Sequence, residues 1–245
     1  SHRTARSPAH CRAGDWLMVA AMCCFYRNQQ PTGEVSMKQI VMLLGVILTA
    51  ILTNFTVHAD ENSEIIKLFN GKDLSNWVVM GKREGWEVKD GVIRSEGGRE
   101  GHWLRSKNKY QDFIFKLEWR VSKGGNSGVY IRSADKGQPW ETGYEVQISN
   151  EPRDDLHCTG SLYGFFPVKP RPDETADKWH TFEIHCKGTQ IKIIADGVTC
   201  VNADQAKHEK AKFKPLAGYV GLQDSHSSAG HYVEYRNVTL KPLKK

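Results

Sequence analysis

Apolar and polar residues alternate with a period of two along most of this chain, and helical spacing is almost absent. The run "DFIFKLEWRVS" sets Phe113, Phe115, Leu117, Trp119 and Val121 on one face and Ile114, Lys116, Glu118 and Arg120 on the other. "NSGVYIRS" puts Val129 and Ile131 inward, opposite Asn126, Gly128, Tyr130 and Arg132, and "GYEVQIS" opposes Tyr144, Val146 and Ile148 to Glu145, Gln147 and Ser149. Asp90-Gly91 in "GWEVKDGVIRSEGG" and Asp196-Gly197 in "QIKIIADGVTCV" are hairpin dipeptides flanked by such runs. Further strands follow in "WHTFEIHCKG", "GYVGLQD" and "YVEYRNVTL".

Roughly ten or more strands at this spacing predict an all-β fold, a two-sheet antiparallel jelly-roll sandwich of the lectin or laminarinase kind. No repeat or low-complexity linker divides residues 60–245, which are expected to form one domain. The stretch from Asn150 to Lys178, rich in Pro, Asp and Gly, breaks the pattern and carries Tyr163, Phe165 and Phe166. Rings of that kind are costly to leave in water, so a binding rim or lid is expected there.

The first quarter reads differently. From Met37, a positive start at Lys38, an apolar run from Ile40 to Leu52 and the small-residue site Val57-His58-Ala59 have the form of a secretory signal at 37–59, cut before Asp60. The run falls short of the roughly 20 residues that span a bilayer, so no stable membrane insertion is expected after cleavage. A secreted, periplasmic or cell-surface product follows, with residues 1–36 an upstream extension before the true start at Met37.

Taking the five basic and two acidic residues of 1–59 from the whole chain's 34 and 28 leaves 29 and 26, a net charge of +3. That balance gives no case for nucleic acid and leaves neutral partners such as sugars open. Cys158, Cys186 and Cys200 make an odd set, and Cys186 and Cys200, near the ends of neighbouring predicted strands, are a candidate disulfide.

Because residues two apart point the same way, Glu118, Arg120, Tyr130, Arg132, Glu145, Gln147 and Gln223 are expected on one wet sheet face. Amides and carboxylates match sugar hydroxyls, Trp140 or Tyr163 can stack on a sugar's C–H face, and Gly125, Gly128 and Gly143 keep the floor low. Cross-strand ion pairing of Glu118, Arg120 and Arg132 is the structural alternative. His157 and His226 lie in loops, where proton transfer or metal binding is open to them. The GxSxG, HExxH, Walker and GxGxxG signatures are absent from residues 60–245.

The ordered set "LFNGKDLSNW", "WEVKDGVI", "YQDFIFKLEWR", "GNSGVYIR", "GYEVQI", "TGSLYG", "WHTFEIHCKG" and "GLQD" resembles the 3-keto-disaccharide hydrolase domain family over nearly all of residues 67–243. The resemblance implies a concanavalin-like jelly roll, export, and action on sugars whose C3 hydroxyl has become a ketone. Ordinary glycosidases need two flanking carboxylates, and laminarinase-type strands carry E-x-D-x-E, whereas Glu145-Val146-Gln147-Ile148-Ser149 keeps only the first acid. A 3-keto sugar relaxes that need, because its carbonyl acidifies the C2 proton and one base suffices. On the resemblance, Glu145, His157 or His226 is the base. Arg120, Arg132 or a divalent cation holds the enolate, and Gln147, Asn126, Tyr163 and Gln223 bind hydroxyls. A non-catalytic carbohydrate-binding module is the alternative for the same face.

Overall fold

In the computed structural model, which describes residues 64–244, the alternating runs form two antiparallel sheets packed face to face. One sheet holds β1 (Ile66–Lys67), β3 (Trp86–Lys89), β4 (Val92–Glu96), β6 (Phe113–Val121), β9 (His180–Lys187), β10 (Gln190–Ala195), β11 (Val198–Asp204) and β13 (Tyr232–Pro242). Its order is β11-β10-β9-β6-β13-β4-β3, with β1 also on β13. The other holds β2 (Trp77–Val79), β5 (Trp103–Ser106), β7 (Asn126–Ser133), β8 (Tyr144–Ser149) and β12 (Tyr219–Gln223), in the order β2-β5-β12-β7-β8. This is the jelly-roll sandwich that the alternation predicts. The upstream extension and the signal segment lie outside the described residues, and among those described no helix is long and apolar enough to cross a membrane.

Both predicted hairpins form. Asp90 (φ 50°) with Gly91 (φ 76°), and Asp196 (φ 47°) with Gly197 (φ 79°), place two successive left-handed residues in each turn, the twist that two-residue hairpins require. The inward residues of β6, β7 and β8 are buried together in the sandwich interior.

Four local features place the site. Tyr235 crosses the core from β13, and its hydroxyl meets Ser127 Oγ (2.7 Å), Gly128 O (3.1 Å) and Gln223 O (3.0 Å), fixing β7 and β12 where their outer faces carry polar residues. A one-turn helix α1 (Pro139–Thr142) joins β7 to β8, and Lys214 Nζ closes its end on Trp140 O (3.1 Å) and Gly143 O (2.7 Å). The Cys158–Tyr163 stretch runs along the free edge of β8: Ser161 O accepts from Gln147 N (3.1 Å), Gln147 O from Gly160 N (2.9 Å) and Glu145 O from Tyr163 N (3.0 Å). An edge strand is thereby capped, and the rim expected from the long loop is its continuation.

The fourth feature is a bulge. Tyr219 and Gly221 of β12 face Ser133 and Tyr130, so β7 carries one extra residue there, and Arg132 takes a left-handed φ of 56°. Period-two counting fails at such a point. Arg132 leaves the face that it was expected to share with Tyr130 and is wholly buried, donating to Gln205 Oε1 (2.9 Å), Gly188 O (2.8 Å) and Gln111 O (3.3 Å). It is a strut between the sheet ends.

The candidate disulfide is also absent. Cys186 on β9 and Cys200 on β11 are buried free thiols with β10 between them. Two strand spacings, about 9.5 Å, exceed the reach of a disulfide.

Candidate active site

The outer face of the five-stranded sheet should be half wet, yet every residue of β8 is buried. Two adjoining chambers lie over that face. The smaller, about 200 Å³, is lined by Asn126 and Gln147 beside Glu145, by Tyr163 from the capping loop, and by Trp140, Gln223 and His226. The larger, about 470 Å³, shares Trp140, Gln223 and His226 and adds Met80, His102, Trp103, Tyr130 and Asp224 among its walls.

Glu145 forms the floor of the smaller chamber. It faces Tyr130 across the β7–β8 pair, and its carboxylate leans over Gly128, where a Cβ would come within 2.5 Å of Oε1. Only a glycine admits the acid in that position. In the amide orientation that satisfies both contacts, Gln147 donates to Ser127 O (2.9 Å) and to Glu145 Oε1 (3.0 Å). Burial pushes the Glu145 carboxyl up to about 8, and Arg153 offsets this only in part. Arg153, held by Ser149 Oγ (3.0 Å) and Glu151 Oε2 (2.5 Å), is thus the cation that Glu145 feels.

Gln223 sits where the chambers meet, and its Oε1 is buried without a hydrogen-bond partner. Such an acceptor is costly unless something else satisfies it. Asp224, the next residue, accepts from His102 N (2.8 Å), while its own N–H donates to His102 O (2.9 Å). Burial raises the Asp224 carboxyl above its usual range, against the pull of that N–H, His226 and His102. Tyr130 lies edge-on to Trp103 at 5.5 Å, and burial with the charges of Glu145 and Asp224 keeps its phenol firmly protonated.

Of the sequence-derived candidates, Glu145, Gln147, Asn126, Tyr130, Trp140, Tyr163, Gln223 and His226 meet at these chambers. His157 stands behind them: its Nδ1 is bonded to Asp154 Oδ1 (2.8 Å) and its ring packs edge-on against Tyr163 at 4.7 Å, a place from which it positions that phenol. Glu118 and Arg120 do not join the site. They lie on β6, on the outer face of the eight-stranded sheet. Glu118 pairs there with Arg236 (2.7 Å), and Arg120 Nε donates to Glu234 Oε2 (2.7 Å) while its guanidinium lies 4.9 Å from the Trp179 ring. Cross-strand ion pairing thus describes both, but with Arg236 and Glu234 as partners and not, as expected, with Glu118 bound to Arg120 or Arg132. Arg132 is excluded by the bulge described above.

Asp224, His102, Trp103 and Arg153 were missed. Asp224 ends "GLQD", one residue past Gln223, and strand alternation assigns it to the opposite face. It turns back because the strand has ended and the His102 backbone captures it. Nothing in a local pattern marks His102 or Arg153.

For a metal, one trio among the described residues brings three donor side chains together: Asp173, His180 and Asp196, none of which lines either chamber. His180 already bonds Asp196 Oδ2 (2.7 Å) and Thr175 O (2.9 Å), and Asp173 holds Thr175 and Lys178. The acids and histidines that line the chambers form no such three-donor cluster.

Comparison with known proteins places this architecture. A curated protein of Bacteroides thetaiotaomicron named 3-keto-disaccharide hydrolase is 30% identical over 230 residues, covering 73% of this chain and 78% of the relative. A solved structure from Parabacteroides distasonis, described as that of a candidate glycosyl hydrolase, superposes with a TM-score of 0.65 at 22% identity over 78% of this chain and 99% of that one. A second from the same organism gives 0.65 at 22% identity over 74% and 100%. At that identity the structures speak for the sandwich alone. The family described as 3-keto-alpha-glucoside-1,2-lyase-like domain matches residues 64–241, and the chain belongs to it.

Proposed function

We propose that this chain is an exported enzyme that cleaves 3-keto-glycosides, 3-keto-disaccharides among them, by elimination followed by hydration. Family membership and the curated relative support the substrate class. The observation that carries the mechanism is Glu145: a single buried carboxyl raised to about 8, set among three amides with no second acid on its strand.

With the oxidised ring in the smaller chamber, Glu145 takes the C2 proton, and the electron pair moves onto the C3 oxygen as an enolate. Amide N–H groups of Asn126 and Gln223 supply donors to that oxygen and to the hydroxyls, while Gln147 spends its own on Ser127 O and Glu145 and so holds the base in place. The enolate then expels the C1 substituent, leaving a C1–C2 double bond conjugated to the ketone. His226, which lines both chambers, hands a proton to the departing oxygen. Water adds at C1, giving its proton back to His226, and Glu145 returns its proton to C2, so that the net change is hydrolysis. A raised carboxyl pKa suits the first step, since a base is most effective when its pKa lies near the working pH.

The test compares residues 60–245 on a 3-keto-glucoside and on its unoxidised parent, with deuterium incorporation at C2 followed in D2O. Turnover of the ketone alone, with exchange at C2, is expected. Cleavage of the parent at an equal rate would overturn the elimination scheme. Sugar binding without turnover, surviving replacement of Glu145 and His226, would instead identify a carbohydrate-binding module.

A further inference from the structure

The polar groups in the wall of the larger chamber are of two kinds. Asp135, Gln138, His102 and His226 reach it from exposed positions, where water serves them, whereas Asp224 is 7% exposed. The Asp224 backbone is tied on both sides: its N–H donates to His102 O (2.9 Å), and its carbonyl oxygen accepts from Ser127 Oγ (2.9 Å). The carboxylate accepts from His102 N at Oδ2 (2.8 Å), with the Gly101 N–H also drawing on it. Gly101 packs so closely that a Cβ there would come within 3.3 Å of Asp224 Cβ and 2.8 Å of Trp86 Nε1. A carboxylate has about four acceptor sites, so the backbone of residues 101 and 102 answers part of its capacity and the chamber faces the remainder. Desolvating that remainder is costly unless a donor meets it there.

We propose that Asp224 is a specificity-determining residue: it accepts a hydrogen bond from a hydroxyl of the group that departs from C1, and so favours a leaving group rich in hydroxyls over one that has none. The proposal rests on placing the oxidised ring in the smaller chamber. Gln223 and His226 line both spaces, so the scissile oxygen falls between them and the departing group meets Asp224 in the larger one. Gln223 Oε1, buried without a partner at that junction, is a second acceptor for it. A hydroxyl donating to a carboxylate makes one of the stronger hydrogen bonds open to a neutral ligand. A leaving group without hydroxyls covers both acceptors and satisfies neither, the circumstance in which a binding site discriminates most. The chamber opens to solvent, and water that stays beside Asp224 meets part of that need, which holds the discrimination to about tenfold rather than the largest values known.

The experiment measures kcat/KM for two 3-keto-glucosides of one anomeric configuration, one with a glucosyl and one with a cyclohexyl leaving group, rings of the same size with and without hydroxyls. Leaving-group acidity enters the glucosyl-to-cyclohexyl ratio equally in every variant, so a change in the ratio reports on Asp224. Asp224→Ala is expected to lower that ratio by about tenfold, the loss falling on the glucosyl substrate, and Asp224→Asn by about threefold. Asp224→Asn keeps an oxygen for His102 N and so guards against a loss of the fold, which urea melts of each variant check. A merely structural role would slow both substrates alike. Equal losses on the two substrates, a ratio moved by neither substitution, or cyclohexyl ahead of glucosyl in the parent chain would overturn the assignment. If no ketone is turned over, the proposed function fails and Asp224 is judged separately by titration calorimetry with the unoxidised glucosyl and cyclohexyl glucosides. Tighter binding of the glucosyl compound, lost in Asp224→Asn, upholds the role, and equal affinity or no binding in the parent chain overturns it.

Discussion

Both sheets turn polar residues away from the core, and along the chain β6 and β8 look alike: an apolar residue in, a polar one out. In space they differ in what those polar groups have for company. On the eight-stranded sheet Glu234 holds Arg94 (2.8 Å) and Arg120, Glu118 holds Arg236, and Lys116 meets Glu183 (2.6 Å). Trp179 lies under two of those guanidinium groups. Each charge is answered by a neighbour, in reach of water. On the five-stranded sheet the capping loop and α1 cover the polar stripe, which leaves Glu145 buried with an amide for company and Gln223 Oε1 with no partner. Polar groups that are buried and unanswered are the ones held ready for a ligand, since the fold alone gives no return for desolvating them.

The sharpest way to break that contrast is to neutralise Glu145. Glu145→Gln is expected to lower kcat on a 3-keto-glucoside by about 10²- to 10⁴-fold, the range for losing a general base. The same change is expected to stabilise the protein at high pH. The folded carboxyl titrates near 8 and the unfolded one near 4.5, so between those values the folded form keeps a proton that the unfolded form has lost. Stability conferred by the protonated acid is therefore complete below about pH 4.5 and declines as pH rises through 8, by on the order of 5 kcal/mol in full. Urea melts at pH 5 and pH 8 should show Glu145→Gln gaining on the parent chain at the higher pH, and an equal difference at both would contradict the burial argument. In the parent chain, kcat/KM should rise with pH and level off near 8, the sign required of a base that acts deprotonated.

A gentler test acts through the neighbouring strand. Gly128→Ala puts a methyl group where Oε1 now lies, at a backbone position that an alanine adopts without strain. The carboxyl must move while Tyr235 still ties down the strand. A loss of about 10- to 100-fold in kcat is expected, with the urea midpoint shifted far less than the rate would suggest, because misplacement by about an ångström is enough to impair proton transfer. An unchanged rate would show that the acid is not required in that position.

How much of this could be read along the chain follows from the range of the forces involved. Alternation and the two Asp-Gly turns are local, and they announced the strands, the hairpins and the inward sets of β6, β7 and β8. Glu145, Gln147, Asn126, Tyr130 and Gln223 were found because they belong to strands of one sheet, together with Trp140 of α1, the loop ring Tyr163 and His226. Strand membership is another matter. Period two gives the side of a sheet and is silent on which sheet, so Glu118 and Arg120 were assigned to a face on the far side of the sandwich. A single inserted residue redirected Arg132, and the end of β12 hid Asp224. Cys186 and Cys200 were paired as ends of neighbouring strands, although the Asp196-Gly197 hairpin already sets β10 between them.

The smallest expected effect on activity completes the contrast, because it falls on Arg120, a site candidate alongside Glu145 in the sequence, and on its partner Glu234. Glu234 is nearly buried and lies between Arg94 and Arg120, whose side chains are about a third exposed. Glu234→Gln leaves Arg120 without its anion and Arg94 with Glu96 alone, at a cost of about 1–2 kcal/mol after allowing for the water that reaches them. Arg120→Met should cost about 1 kcal/mol, and the double substitution less than the two together, since both disrupt one network. None of the three should change kcat/KM beyond about twofold, because the sandwich core separates them from Glu145 and the amides. Urea melts and the keto-glucoside assay on the same preparations check both halves. If Arg120→Met slowed turnover as much as Gly128→Ala while leaving stability intact, the two polar faces would have to be treated as one site.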